Sequence, residues 1–167
     1  VLRTVGWKAA LFVAAVDVGK GALAAGALPL LLPQDAPLDR VAAGSLAGAC
    51  AVVGHVFPVF AGFRGGKGVG TAAGMMAALH PLALLVCVPV FAGVVLLTRM
   101  VSLASMLGAL SFPLALWALK GTEWARENPV AFWTSAGIAA FILFTHRTNV
   151  RRILAGTENR FFSARKD

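Results

Sequence analysis

Charge is what this sequence has least of. Only 13% of its 167 residues are charged, against 59% hydrophobic. A soluble domain of this size needs a polar surface that such a composition cannot supply, so the chain reads as a membrane protein. Cysteine is scarce too. Cys50 and Cys87 both fall inside apolar runs, which excludes a disulfide framework and leaves them as packing residues. His55, His80 and His146 are too scattered to form a metal-ligand cluster, so no metal site is expected. Nucleotide motifs are absent as well. Ala61 stands where a Walker A loop needs its first glycine, and Gly68 where it needs Ser or Thr. No G-x-G-x-x-G occurs, because Thr71 and Ala73 take the place of the last glycine. ATP and NAD therefore have no motif support, and no cofactor is expected.

What is present is long apolar sequence. The runs are Val5 to Leu32, Leu38 to Ala61, Val69 to Leu79, Pro81 to Leu97, Val101 to Leu119 and Pro129 to Thr145. A membrane-crossing helix takes about 20 residues. Residues 69 to 97 as one straight helix would measure about 43 Å, too long for a core of about 30 Å. His80 and Pro81 offer a break, since proline ends or kinks a helix. With a turn there, the connectors alternate in charge. Arg3, Lys8, Arg64, Lys67, Arg99 and Arg147, with the basic residues that follow Arg147, fall on one side. Arg40, Lys120 and Arg126 fall on the other, accompanied by four acids, Asp35, Asp39, Glu123 and Glu127. Basic residues favour the cytoplasm. The expected architecture is an all-α polytopic bundle of six membrane segments, with chain ends and Lys67 cytoplasmic. One of the six, Val69–Leu79, is short, and is expected to be a partial span buried by its neighbours. The net charge of +8 is spread over connectors and a basic tail at 147–167, so it reads as membrane orientation and not as nucleic-acid binding. The chain opens "VLRTVGWK", without methionine or secretory signal, and a missing upstream segment is expected.

One stretch interrupts the apolar pattern: "GFRGGKGVGTAAG", Gly62 to Gly74. Glycines let consecutive amides turn inward as a nest for an anion. A helix starting near Val69 adds a positive dipole end, Arg64 and Lys67 add charge, and Thr71 adds a hydroxyl. A small phosphate monoester at the membrane surface suits this set. The alternative is a flexible turn whose cations only orient the protein.

Other polar residues have structural readings beside functional ones. Asp17 and Lys20, three apart in the first run, are expected to neutralise each other. His55 is expected to be satisfied by a nearby carbonyl, and His80 to be a surface turn residue. Ser102 and Ser105 read as helix caps. His146 and Asn149 share a helix face, Arg151 and Arg152 suit lipid headgroups, and Glu158 is expected to pair with a nearby arginine.

Together, "DVGKGAL" (Asp17 to Leu23), "GHVFPVFAGFRGGKGVGTAAG" (Gly54 to Gly74), "TRMVSLAS" (Thr98 to Ser105) and "HRTNVRRILAGTE" (His146 to Glu158) resemble, in order and spacing, the bacterial PlsY family of acyl-phosphate:glycerol-3-phosphate acyltransferases. The resemblance covers almost the whole chain. It implies an inner-membrane enzyme that moves a fatty acyl group from acyl phosphate to the 1-hydroxyl of glycerol 3-phosphate, giving lysophosphatidic acid and phosphate in phospholipid synthesis. It implies phosphate binding by Gly65, Gly66, Lys67 and Gly68, with Thr71 beside them. Arg3 matches the arginine that closes the family's "GSGNxGATNxxR" motif. Ser102, His146 and Asn149 are implied as catalytic, and Glu158 as structural. The family has seven helices, so the chain is expected to be a single membrane domain over 1–167 lacking its first helix and first cytoplasmic motif, and to have little activity alone. The His-x4-Asp motif of soluble-donor acyltransferases is absent: Phe60, Leu85 and Arg151 stand where its aspartate would be. The expected partners are the two substrates and membrane lipids, with no obligate protein partner. His146 is a candidate base, but no carboxylate supports it in sequence, and the departing phosphate is the favoured proton acceptor. A transporter or flippase for a phosphorylated metabolite, and a purely structural membrane subunit, are the rival readings.

Overall fold

The computed structural model describes residues 6–160, and its regular structure is entirely helical. Helix α1 (Trp7–Ala22) continues through a π turn (Leu23–Ala27) and a 3-10 turn (Leu28–Leu31). Pro29 has no N–H to give to the carbonyl one turn back, and the helix changes its hydrogen bonding around that position. After a connector comes α2 (Arg40–Val56), whose first turn is capped by Asp39: its Oδ1 accepts from the amides of Val41 and Ala42 at 2.8 Å. A 3-10 turn (Val59–Ala61) leads into the glycine loop and α3 (Val69–Leu79). Then follow α4 (Pro81–Thr98) and α5 (Val101–Glu127). The chain ends in α6 (Pro129–Thr145) and α7 (Arg147–Leu154), which bend by 57° at His146.

Among the described residues, four helical stretches are long and apolar enough to cross a membrane, and five if the bent pair α6–α7 is one span. The break expected at His80 and Pro81 is present, with His80 at φ −142° and ψ 62°. Helix α5 breaks at Gly121, which is not helical (φ 79°, ψ 176°), close to the expected end at Leu119, and a polar segment beyond the break reaches Glu127 off the apolar axis.

At 11 residues, α3 is about 16 Å long, half a hydrocarbon core. It lies inside the bundle, with Thr71, Ala72, Gly74, Met75 and Met76 all buried. Helix α1 approaches it backbone to backbone. A Cβ on Gly74 would stand 1.9 Å from the carbonyl oxygen of Val18, so only glycine permits this distance. The outward faces carry Trp7, Leu11, Phe12, Leu85, Leu96 and Trp133, all exposed. Lipid, unlike water, accepts such a surface, and the chain is a multi-pass membrane protein.

Two ends of the bundle are distinct. At one, a bond joins Lys67 of the glycine loop to Asn149 of α7, and another joins Ser102 of α5 to Glu158. At the other, Asp39 shares a small cleft with Asn128 and Pro129. His80 belongs to that second end and corrects the expectation of a surface residue. It is buried, its ring edge-on to Trp124 at 5.5 Å, because the polar last turn of α5 folds over it.

Candidate active site

The glycine loop hangs from the end of α2. The amide of Gly65 donates to the carbonyl of Val56 at 3.1 Å, and that of Gly66 to the carbonyl of His55 at 3.3 Å. These two amides are therefore engaged within the protein, and through them Gly65 and Gly66 hold the loop to α2. Gly68 sits at the start of α3 in the left-handed conformation (φ 85°), against Val52. From there the first amides of α3 have no intrahelical acceptor, so the positive end of the helix dipole opens beside Lys67.

The Lys67 ammonium donates to Asn149 Oδ1 at 2.5 Å, and the Lys67 carbonyl accepts from the Thr145 hydroxyl at 3.1 Å. Asn149 Nδ2 in turn donates to Glu158 Oε1 at 2.7 Å. The same carboxylate accepts from Ser102 Oγ at 2.8 Å and, through Oε2, from Arg152 Nε at 2.8 Å. Ser102 of α5 and two residues of α7 thus converge on one buried carboxylate, and Lys67 of the glycine loop reaches it through Asn149. Burial alone would raise the pKa of Glu158, but the bonds from Arg152, Asn149 and Ser102 bring it below the ordinary carboxylate value, and it stays ionised. Burial likewise pushes the Lys67 ammonium below the ordinary lysine value, against the pull of Glu158.

His146 is buried at the bend between α6 and α7. Its Nδ1 lies 2.8 Å from the carbonyl of Ile142. A carbonyl only accepts, so Nδ1 carries the proton and Nε2 the lone pair. Burial lowers its pKa, the Ile142 bond opposes this, and Lys67 lowers it further; the neutral ring is favoured.

The other expected site residues lie as follows. Ser102 does not cap α5, since its hydroxyl is spent on Glu158; Ser105 bonds back to the Val101 carbonyl at 2.9 Å. Thr71 is wholly buried in the first turns of α3, and its hydroxyl has no hydrogen-bond partner among the described residues. Arg64 is exposed and forms no ion pair among the described residues. Arg3 lies outside the described residues. Sequence reasoning missed Thr145 as a clamp on the loop, and left open which arginine would meet Glu158; the structure selects Arg152. Adjacency of Thr145 to His146 is the one local sign that pointed there.

Behind the first turn of α3 lies an apolar cavity of about 250 Å³ between α3, α4 and α5. Val69 and Gly70 line it beside the loop, and Met76 and Leu84 line it further along. Ile142, whose carbonyl holds His146, forms part of the wall.

A family model described as glycerol-3-phosphate acyltransferase matches residues 1–156. The chain belongs to the glycerol-3-phosphate acyltransferase family. As a member of that family it is an enzyme. Two relatives carry the same name. The protein of Chlorobaculum parvum is 39% identical over 98% of this chain and 80% of its own length. That of Salinibacter ruber is 40% identical over 96% of this chain and 74% of its own length. Among solved structures, PlsY (YgiH), an integral membrane glycerol 3-phosphate acyltransferase, aligns in its lysophosphatidic acid form with a TM-score of 0.82. It is 33% identical to the chain, covering 96% of it and 76% of the solved one. The glycerol 3-phosphate form of the same protein aligns with a TM-score of 0.78 at 32% identity, covering 96% and 74%. In this chain the glycine loop and the His146–Asn149 segment occupy one end of the bundle together.

Proposed function

We propose that the chain transfers a fatty acyl group from acyl phosphate to the 1-hydroxyl of glycerol 3-phosphate, releasing lysophosphatidic acid and inorganic phosphate. The observation that carries this reading is the juxtaposition of Lys67 and the open N-terminus of α3 with an apolar cavity immediately behind them. One part suits a phosphate and the other a fatty chain. The solved relative's two forms, one with glycerol 3-phosphate and one with lysophosphatidic acid, match a substrate and a product of this reaction. Arg3 supplies a second cation in this proposal, and the amides of Lys67 and Gly68 supply donors.

Acyl phosphate is a mixed anhydride and already activated. The protein has to hold two anions together and offset their repulsion, which is positional and electrostatic work. The 1-hydroxyl oxygen attacks the acyl carbon, the bond from that carbon to the phosphate oxygen breaks, and the departing phosphate takes the hydroxyl proton. His146 is oriented by a neutral carbonyl and not by a carboxylate, an arrangement that gives little support to an imidazolium. In this reading His146, Asn149 and Lys67 position substrate, while Ser102 and Glu158 hold Asn149. The site end of the bundle faces the cytoplasm at the bacterial inner membrane, as the excess of basic residues there favours. Residues 1–167 act as one membrane domain, and the segment from 147 onward contributes Asn149, Arg152 and Glu158 to the site rather than serving only as a basic tail.

The test is direct. Membranes carrying the full chain are incubated with acyl phosphate and labelled glycerol 3-phosphate. Labelled lysophosphatidic acid is expected, in amounts that fall sharply in Lys67→Ala. Uptake of label without conversion would instead indicate transport and reject the proposal.

A further inference from the structure

A second polar cluster lies beside the site and has no part in the reaction as described. Lys20 Nζ donates to Asp17 Oδ1 at 2.6 Å and lies 2.6 Å from His55 Nδ1, with Asp17 Oδ1 3.2 Å from the same nitrogen. A lysine ammonium only donates, so Nδ1 of His55 accepts and its proton sits on Nε2. Nε2 faces the loop: a Cβ on Gly66 would stand 2.2 Å from it. The His55 main chain holds the same residue, its carbonyl accepting from the Gly66 amide. Asp17 reaches the loop from the other side, for a Cβ on Gly70 would lie 3.2 Å from the Asp17 Cβ. The cluster therefore touches the residue before Lys67 and the residue three after it.

A space of about 410 Å³, lined by Lys20, His55, Gly65 and Gly66, opens beside the ring. Packing is thus incomplete on that side, and the hydrogen bonds of Lys20 and Asp17 set the ring's orientation. We propose that Asp17, Lys20 and His55 are positioning residues for Lys67, holding the glycine loop so that the Lys67 ammonium meets the phosphate of glycerol 3-phosphate. This inference rests on Lys67 being the phosphate-binding cation of the proposed function. The expected Asp17–Lys20 pair is present, and it is this pair, not a carbonyl, that the His55 ring meets. The helical spacing that pairs Asp17 with Lys20 gave no sign of α2, which brings His55 to them.

The experiment is a double-mutant cycle in the full chain, reading KM for each substrate separately. His55→Ala is expected to raise KM for glycerol 3-phosphate about tenfold and to leave KM for acyl phosphate within about twofold. His55→Asn, whose side-chain oxygen can accept from Lys20 in place of Nδ1, is expected to recover most of the loss. In a Lys67→Ala background, His55→Ala is expected to add almost nothing, because the two changes act through one contact. If His55→Ala fails to fold, Lys20→Met takes its place in the same cycle. An unchanged KM for glycerol 3-phosphate, an equal rise for both substrates, or the same factor in both backgrounds overturns the proposal. Should Lys67→Ala alone leave KM for glycerol 3-phosphate unchanged, the reading of the site itself fails, and the inference with it.

Discussion

The ammonium of Lys67 and the side-chain oxygen of Asn149 meet across 82 residues of chain. This bond joins the glycine loop to α7. With its oxygen toward Lys67, Asn149 donates from Nδ2 to Glu158 at 2.7 Å. The orientation of the amide is thus set by the carboxylate, and the placing of the lysine by the amide.

Asn149→Asp separates charge from orientation. The new carboxylate still accepts from Lys67, but places an oxygen against Glu158 where an N–H now donates at 2.7 Å. Two carboxylates so close cannot both ionise freely. Affinity for glycerol 3-phosphate is expected to fall about tenfold or more, because Lys67 is drawn from the phosphate by a full negative charge. A steady-state KM equal to that of the unchanged chain would exclude this arrangement.

Glu158→Ala leaves Ser102, Asn149 and Arg152 without their common acceptor. A loss on the order of 2 kcal/mol in stability is expected from the stranded buried donors, with turnover reduced as well. Glu158→Gln keeps an oxygen for Ser102 and Asn149 but turns an amide toward Arg152, so its loss should be smaller. Thermal unfolding in detergent ranks the two; the reverse order would contradict the role of the carboxylate as acceptor.

Stability should fall with acid in two steps. The folded chain holds His146 below its ordinary value of 6.5, so its contribution is complete above that value. Below it the unfolded chain binds a proton that the folded one resists, and stability declines as pH drops. Glu158 also has a lowered pKa, so its contribution is present above the ordinary carboxylate range and lost as pH falls through the folded value. Both effects have the same sign. Tm measured across pH 5 to 8 should decline on the acid side, and His146→Gln should flatten the upper part of that decline.

Gly74→Ala tests the close approach of α1 and α3. Its Cβ would stand 1.9 Å from the Val18 carbonyl oxygen, and backbone has to move to admit it. Overpacking of this kind costs about 1–3 kcal/mol and at times more. A Tm equal to that of the parent would show that the helices sit further apart.

Gly108→Leu tests the apolar cavity. A Cβ at Gly108 has ordinary room, 3.6 Å from the Phe91 Cβ, but the rest of a leucine extends into the space the cavity offers. KM for long-chain acyl phosphate is expected to rise several-fold, with KM for glycerol 3-phosphate unchanged. An equal effect on both substrates would mean that the acyl chain lies elsewhere.

Much of the helical layout was legible because hydropathy acts locally. The bounds of Val69–Leu79 and Pro129–Thr145 agree with the helices found, since an apolar run flanked by Pro or Gly ends where its backbone can no longer continue. At α5 the apolar run ends at Leu119, beside the break at Gly121, and the polar segment from there to Glu127 had no apolar pattern to mark it. The chemistry of the site was legible in part. His146 and Asn149 were paired by helical spacing, but the taking of the Gly65 and Gly66 amides by α2 depends on the path of the loop, which no spacing rule describes.

An apolar helical membrane protein with a basic glycine loop can be read from residue order alone, because hydrophobicity and charge are properties each residue carries with it. Which groups bond emerges from the folded chain: Thr145 clamps the loop, Arg152 and not its neighbour meets Glu158, Thr71 is shut away, and His55 joins Asp17 and Lys20. The physical reason is that a hydrogen bond is directional and short. Its partner is set by where helices from distant parts of the chain come to rest against one another.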